Sequence, residues 1–219
     1  MRRITFAEGE FYHIYNRGVD KRRVFMSPAE YKRFLVYLFL LNDRENKRID
    51  FLFSSKTSSR IWEAKPSSSL VAIGAYCLMP NHFHLYLTPL VDGGISKFMQ
   101  RLQTAYTMYF NEKHERSGAL FQGTFKASHV EGDAYAKYLF SYIHLNPAKL
   151  KDPNWKKFGA RDFGKLQRHV SEYQYSSLGE YINNRHVITS PRAFPGYLSS
   201  AREVQDHVDY WLRYKDVGV

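Results

Sequence analysis

The stretch from residue 70 to residue 88 constrains the fold most, because it holds two apolar runs around a turn signal. Residues 70–78 and 83–88 are mainly apolar or aromatic, and Pro80 and Asn81 lie between them. Proline and asparagine are favoured in turns, and short apolar runs bounded by turn residues are typical of buried strands. The stretch therefore predicts an antiparallel hairpin of two buried strands.

His82 and His84 lie two positions apart on the second of these strands. Successive side chains of a strand point to opposite faces, so both imidazoles project from one side, roughly 7 Å apart at two residues' rise. Phe83 points the other way, into a core. Such a pair can chelate one metal ion, but an isolated His-x-His more often consists of ordinary surface or core histidines.

The rest of the chain supplies elements on both sides of the hairpin. In order, the predicted elements are a strand (11–16), a helix beginning at Ser27, the hairpin, a helix after 92–94, a strand (124–130) and a helix beginning at Asp133. Ser27 and Glu30 predict a capping box, and Pro147 ends the last helix because the residue before proline avoids helical geometry. This order predicts an α+β fold, the split βαββαβ unit of a ferredoxin-like sandwich, with one added helix and a C-terminal extension.

One folded domain is expected over residues 1–150. A Ser-rich, polar insertion at 54–69 interrupts it and predicts a flexible loop. Beyond residue 150 the periodicity weakens, and basic residues precede a short helical piece around 172–181. We expect residues 151–219 to form a basic extension that packs on the same domain.

The charge balance favours a polyanionic partner. The chain has 32 Lys and Arg against 21 Asp and Glu, a net charge of +11, and a sequence pI near 9.6. Phosphate neutralisation dominates nucleic-acid affinity, although a merely basic soluble protein has the same balance. The 17 tyrosines, where they are not core, suit stacking on unpaired bases.

Other classes are disfavoured by composition. The single cysteine, Cys77, excludes an internal disulfide framework and a Cys-rich zinc module, and its apolar neighbours predict that it is buried. No apolar run reaches the roughly 18 residues of a membrane span, and the N-terminus lacks the apolar stretch of a secretory signal. We therefore expect no membrane contact and a cytoplasmic location.

The predicted third helix carries a tyrosine and an amide on one face. Tyr142 and Asn146 are four residues apart and are therefore neighbours on a helix. The amide oxygen suits Mg²⁺ or Mn²⁺ beside imidazole, and a tyrosine at a metal over a basic groove indicates covalent attack on a phosphodiester. The alternative is that Tyr142 is core and Asn146 an ordinary helix C-cap. His144 faces away from Tyr142, which favours packing or DNA contact.

Four ordered blocks of the sequence resemble the REP-associated tyrosine transposases, a branch of the HUH single-tyrosine transposases of small bacterial insertion sequences. The blocks are Tyr-His-Ile-Tyr-Asn-Arg-Gly at 12–18, Met-Pro-Asn-His-Phe-His at 79–84, Phe-Gln-Gly-Thr-Phe-Lys at 121–126 and Tyr-Ile-His-Leu-Asn-Pro at 142–147. The similarity runs from about residue 10 to residue 180. Four blocks in order are far more specific than any one of them.

The resemblance implies a ferredoxin-like fold, with His82 and His84 as the metal-binding pair and Tyr142 as the nucleophile. Asn146 matches a position where relatives carry Gln or Asn as a third ligand. By residue type alone, rival nucleophiles are Tyr106, Tyr109, Tyr135 and Tyr138. Of these tyrosines, only Tyr142 is followed by an amide four residues later in the matching sequence context.

The expected activity is that of a single-strand DNA endonuclease and strand transferase. A divalent ion would polarise the scissile phosphate, the tyrosine would form a 5′-phosphotyrosine, and religation would need no ATP. The resemblance implies repeated extragenic palindromes or similar hairpins as substrate, and a monomer or a homodimer in which one subunit's tyrosine serves the other's histidines. The residues expected to grip DNA are Arg17, Lys21, Arg22, Arg23, Lys126, Lys149 and Lys151.

Two other functions stay open from the sequence. One is a non-catalytic, RRM-like nucleic-acid-binding module descended from a transposase, whose sequence signature would be a missing tyrosine or a broken His-x-His. The other is a metal-dependent hydrolase in which water is the nucleophile. Neither the tyrosine nor the histidine pair is missing here.

Overall fold

The computed structural model describes residues 4–45, 62, 68–196 and 200–214. Most of the predicted 54–69 loop therefore lies outside the described residues. In chain order the elements are β1 (Tyr12–Arg17), α1 (Pro28–Leu40), β2 (Val71–Met79), β3 (His82–Pro89), α2 (Gly94–Lys113), β4 (Lys126–His129), α3 (Gly132–Leu145), α4 (Ala148–Lys151), α5 (Trp155–Phe158), α6 (Phe163–Ser171), α7 (Leu178–Ile182) and α8 (Ala201–Arg213). Short 3₁₀ turns occupy Val19–Lys21 and Pro191–Ala193.

The four strands form one antiparallel sheet in the order β2-β3-β1-β4. The hairpin of β2 and β3 turns at Pro80 and Asn81, and β1 lies between β3 and β4. This order is that of the split βαββαβ unit. The ferredoxin-like fold predicted from the sequence is confirmed.

One face of the sheet packs against α1 and α2. Ile14 of β1 and Phe83 and Leu85 of β3 point to this side, where they meet Phe34 of α1 and Leu102 of α2 in a continuous apolar core. Every second residue of these strands is apolar, and the helices present matching apolar stripes. The core of the βαββαβ unit therefore lies on the side away from the two histidines.

The other face of the sheet is covered by α3 and the C-terminal helices. Cys77 of β2 and Ile143 of α3 are fully buried here, together with Trp155 of α5 and Val208 of α8. Burial also raises the pKa of the Cys77 thiol, which leaves it protonated. Helices α5 and α8 thus contribute side chains to the same core as α3 and the sheet.

The predicted capping box at the start of α1 is wrong. The Ser27 side chain makes no capping hydrogen bond. The Glu30 carboxylate, fully buried, instead accepts from the backbone N–H of Met26 at 2.5 Å and pairs with Lys113 at 2.6 Å and His114 at 3.0 Å. A buried carboxylate needs several partners, so Glu30 is drawn to the end of α2 rather than to the Ser27 backbone.

Two predictions about helix ends also need correction. Pro147 follows the end of α3, but Asn146 is itself helical (φ −54°, ψ −40°), and α4 begins one residue after the proline. The helix predicted at 172–181 is wrong over most of its length, because α6 ends at Ser171 and α7 begins at Leu178. The segment between them consists of turns, and Ser176 forms an isolated bridge to Cys77 at the edge of the sheet.

No helix within the described ranges is both apolar enough and long enough to cross a bilayer.

Candidate active site

The hairpin turn places both histidines at the mouth of a cavity on the α3 side of the sheet. His82 pairs with Arg17 of β1, and His84 pairs two residues further along with Tyr15. The two imidazole rings lie 5.0 Å apart between centroids and are nearly perpendicular, at 88°. Both line a cavity of about 320 Å³. The strand alternation inferred from the sequence therefore brings the two side chains together.

Each histidine has its Nδ1 held by a neighbouring side chain. Nδ1 of His82 lies 2.6 Å from Oδ1 of Asn81, and Nδ1 of His84 lies 2.9 Å from Nε2 of His13. An amide oxygen only accepts, so His82 carries its proton on Nδ1 and presents the lone pair of Nε2. A proton on Nδ1 of His84 does the same there. Within the described part of the chain, neither Nε2 has a hydrogen-bond partner.

Burial keeps both imidazoles neutral. It lowers the pKa of His82 to about 4, with smaller contributions from Lys149 and Arg17, and it lowers the pKa of His84 well below its ordinary value. Neutral imidazole is the form that binds a metal ion. With Nδ1 fixed from outside and Nε2 available, these two residues fit the metal-binding pair that the resemblance implies.

Tyr142 of α3 lies over these histidines. Its ring is 5.5 Å from the His84 ring and 6.1 Å from the His13 ring, edge-on to both, and it lines the same cavity. All three residues belong to one chain. Burial raises the pKa of the Tyr142 phenol, so its ordinary state is protonated.

The rival tyrosines lie elsewhere. Tyr106 is fully buried on the opposite face and donates to the Val24 carbonyl at 2.6 Å. Tyr109, also on α2, lies under the Arg33 guanidinium at 4.7 Å. Tyr135 and Tyr138 are on α3, but neither lines the cavity of the histidines.

The position of Asn146 does not decide whether it is a third metal ligand. It is buried, and its side-chain Nδ2 donates to the Tyr142 carbonyl at 2.9 Å. Its Oδ1 is buried without a partner among the described residues, but Asn146 does not line the cavity. In the described ranges no group of three or more His, Cys, Asp or Glu side chains is arranged for a metal. Asn146 as third ligand stays a prediction.

The predicted DNA-binding residues divide into three groups. Arg17 and Lys126 line the cavity, and Arg17 is oriented by a 3.2 Å hydrogen bond to Oε1 of Gln122. Lys149 lies 5.7 Å from the Tyr142 ring centroid. The others, Lys21, Arg22, Arg23 and Lys151, are exposed away from the cavity lining.

His144 takes no part in this surface. It is completely buried, with Nε2 2.7 Å from Oγ of Ser177 and its ring against Phe140 and Tyr181. The packing interpretation of His144 holds, and the DNA-contact interpretation is wrong.

Several residues close to His84 and Tyr142 were not among those singled out from the sequence. Tyr15 stacks on His13 at 4.9 Å and lies 5.9 Å from the His84 ring. Lys156 lies 5.3 Å from the Tyr142 ring. The alternation His13, Tyr15, Arg17 along β1 is a signal that could have been found, because it predicts one polar face.

A ferredoxin-like sheet with paired histidines under a helix-borne tyrosine is what the resemblance to the HUH single-tyrosine transposases implies. Residues 44–146 match the family model described as "Transposase IS200 like". The resemblance to these transposases is therefore confirmed.

A solved structure shares the fold. It is a REP-associated tyrosine transposase bound to a REP hairpin, and it superposes with a TM-score of 0.51 at 13% identity, over 87% of this chain and 89% of that chain. At this identity the likeness shows the fold alone. No curated protein matches the sequence.

Proposed function

We propose that this protein is a metal-dependent single-strand DNA endonuclease and strand transferase that works through a 5′-phosphotyrosine. The observation that carries the proposal is the position of Tyr142 over His84 within one chain, at the mouth of a cavity lined by Arg17 and Lys126. The match to the IS200-like transposases supports the same activity.

The metal site would be built on His82 and His84, with Asn146 as a third ligand. When bound, Mg²⁺ or Mn²⁺ supplies polarisation of a non-bridging phosphate oxygen. The two imidazoles suit this because they are neutral and their Nδ1 atoms are already engaged. The amide oxygen of Asn146 is a hard ligand of the kind these ions accept.

Tyr142 supplies the nucleophile. Its phenol oxygen loses its proton and attacks the scissile phosphorus, the bond from phosphorus to the 3′ oxygen breaks, and that oxygen leaves with a proton as a 3′-hydroxyl. The cations of Lys149 and Lys156, 5.7 and 5.3 Å from the ring, favour the phenolate and oppose the effect of burial. The phosphodiester energy is retained, so a second 3′-hydroxyl can reverse the step without a nucleotide cofactor.

The substrate we infer is a DNA hairpin with single-stranded flanks. The solved structure of similar fold is bound to a REP hairpin, and the exposed cations after β1 and within α4 suit backbone phosphates. A single chain contains the proposed nucleophile and all the proposed metal ligands. We expect such a protein to act in the cytoplasm, at the nucleoid.

A covalent adduct tests the proposal. A pool of 3′-labelled hairpins with randomised single-stranded flanks is incubated with the protein and Mn²⁺ and run on a denaturing protein gel. The label must be at the 3′ end because the tyrosine retains the 5′ phosphate of that fragment. We expect a labelled band that Tyr142→Phe abolishes and that Tyr135→Phe, two turns earlier on α3 and exposed, retains.

Other outcomes separate the alternatives. Binding of the pool without an adduct supports the RRM-like binding module. A free 5′-phosphate product without an adduct supports hydrolysis by water. His82→Ala should remove the adduct and leave most of the affinity for DNA, and loss of binding in that variant contradicts the metal assignment.

A further inference from the structure

A second cavity lies directly behind the candidate nucleophile. Its volume is about 200 Å³, and the ring of Tyr142 lines both this cavity and the one that holds the histidines. The remaining aromatic lining comes from Tyr138, Trp155, Trp211 and Tyr214. Three of these residues, Trp155, Trp211 and Tyr214, lie beyond residue 150, in the C-terminal extension.

The aromatic rings form a connected wall. Tyr138 lies 6.1 Å from Tyr142 and 5.0 Å from Trp211, and Trp211 lies 5.2 Å from Tyr214. The last of these is half exposed, which leaves one side of the wall open to solvent. Aromatic faces at such spacing offer stacking surface for a flat, unsaturated ring.

A cation and two unpaired donors complete the cavity. Nζ of Lys156, which lines this cavity, lies 5.7 Å from the Trp155 ring and 5.3 Å from the Tyr142 ring. The indole N–H groups of Trp155 and Trp211 are buried without an acceptor among the described residues. Buried donors rarely lack a partner in native proteins, and a ligand with carbonyl or ring-nitrogen acceptors has the groups they lack.

We propose that this cavity receives the base of a nucleotide that flanks the scissile phosphate. The inference rests on the proposed function, because it takes the position of the phosphate from Tyr142. A base is planar, is smaller than the drug-sized ligands that fill cavities of 300 Å³ and above, and stacks on aromatic side chains in proteins that bind single strands. Its own phosphate lies one backbone unit away, on the side where Tyr142 meets His84.

The position of the cavity beside Tyr142 bears on which part of a hairpin the protein can cleave. A base seated against Trp211 and Tyr138 fixes the strand on one side of the phosphate, while Arg17 and Lys126 hold it on the other. Only an unpaired base can enter such a cavity, since a base in a duplex is already stacked and paired. The cavity therefore selects the single-stranded flank over the stem of a hairpin.

Photo-cross-linking tests this without knowledge of the target sequence. The full-length protein is mixed in EDTA with an oligothymidylate that carries one 5-iodouracil, irradiated, digested and mapped by mass spectrometry. We expect cross-links on Trp155, Trp211 or Tyr214. Trp211→Ala should lower their yield about tenfold, as loss of one stacked base does. Tyr210→Ala is the matched control, because Tyr210 lies next in sequence, is exposed and does not line the cavity.

The outcomes distinguish the two proposals. If the oligonucleotide binds by fluorescence anisotropy but cross-links map outside the cavity, the base site is overturned and the proposed function stands. If neither the oligonucleotide nor the hairpin pool binds the wild-type protein even at low salt, both are overturned. Tyr214→Ala, which follows the end of α8, repeats the test should Trp211→Ala unfold, and an undiminished yield at Trp211 and Trp155 in that variant contradicts the site.

Discussion

Nε2 of His13 lies 2.9 Å from Nδ1 of His84, and the two rings stack 5.1 Å apart at 22°. His13 is on β1 and His84 on β3, so the pairing of these strands sets the contact. A partner on the far nitrogen of a ligand histidine fixes both its tautomer and the direction of its lone pair. His13 is therefore a positioning residue for the proposed metal pair.

Replacing His13 by alanine should weaken metal binding. We expect Mn²⁺ affinity to fall about 10- to 100-fold, the usual cost of losing such a partner, with a folded protein by circular dichroism. His129→Ala is the matched control, because that histidine is on β4 and pairs with Glu10 instead. Calorimetric titration with Mn²⁺ measures the effect, and equal affinities of the two variants would argue against the role of His13.

Two inactive variants should fail to complement each other. Tyr142 and His84 of one chain face each other at 5.5 Å, so a mixture of Tyr142→Phe and His84→Ala contains no subunit with both groups. We expect no labelled adduct from the mixture under conditions where the wild-type protein gives one. Recovery of the adduct on mixing would show that the tyrosine acts on the histidines of another subunit.

Lys126→Ala should reduce the salt dependence of DNA binding. The side chain lines the cavity of the histidines, and one phosphate contact to a single strand contributes about 0.7 to the slope of log affinity against log salt. Lys97→Ala changes the same charge at an exposed position on α2, across the sheet, and should leave the slope unchanged. Identical slopes for both variants, measured by fluorescence anisotropy, would exclude Lys126 from the DNA path.

His144 should make the protein sensitive to acid. Burial lowers its pKa from 6.5 to about 3. Between these values the unfolded chain binds a proton that the folded chain excludes, so stability is full above 6.5 and falls as pH decreases, by up to about 1.4 kcal/mol per pH unit. His144→Gln removes this proton uptake and should flatten the pH dependence accordingly.

Urea unfolding at several pH values between about 4 and 7 measures the difference. Glutamine at this position can still bond the Ser177 hydroxyl, so the comparison isolates the ionisation from the hydrogen bond. The remaining slope includes the other buried histidines and Glu30, whose pKa values are also lowered. A variant with the slope of the wild-type protein would contradict the assignment to His144.

The features that could be predicted from the sequence are those that depend on residues close together in the chain. The hairpin turn at Pro80 and Asn81, and the alternation that puts His82 and His84 on one face, depend on neighbouring residues only. Tyr142 was found through its spacing to Asn146 and through its sequence context. Each of these inferences needed no knowledge of which strand pairs with which.

The rest of the site depends on contacts between distant positions. His13 and His84 are 71 residues apart, and their contact requires the order of the strands as well as the register. Glu30 does not form the expected capping box with Ser27. Its buried carboxylate instead pairs with Lys113 and His114 at the end of α2. The segment at 172–177 consists of turns rather than a helix, and Ser176 within it bridges to Cys77 of the edge strand β2.

The enclosure of α3 bears on how copies of this protein could cooperate. Leu139 and Ile143 are buried against the sheet and against Val208 of α8. Helix α3 is therefore packed on two sides. For α3 to exchange into a neighbouring molecule, α8 would first have to dissociate from it. If the proposed activity resides in single chains, the yield of the covalent adduct per molecule should stay constant as the protein is diluted.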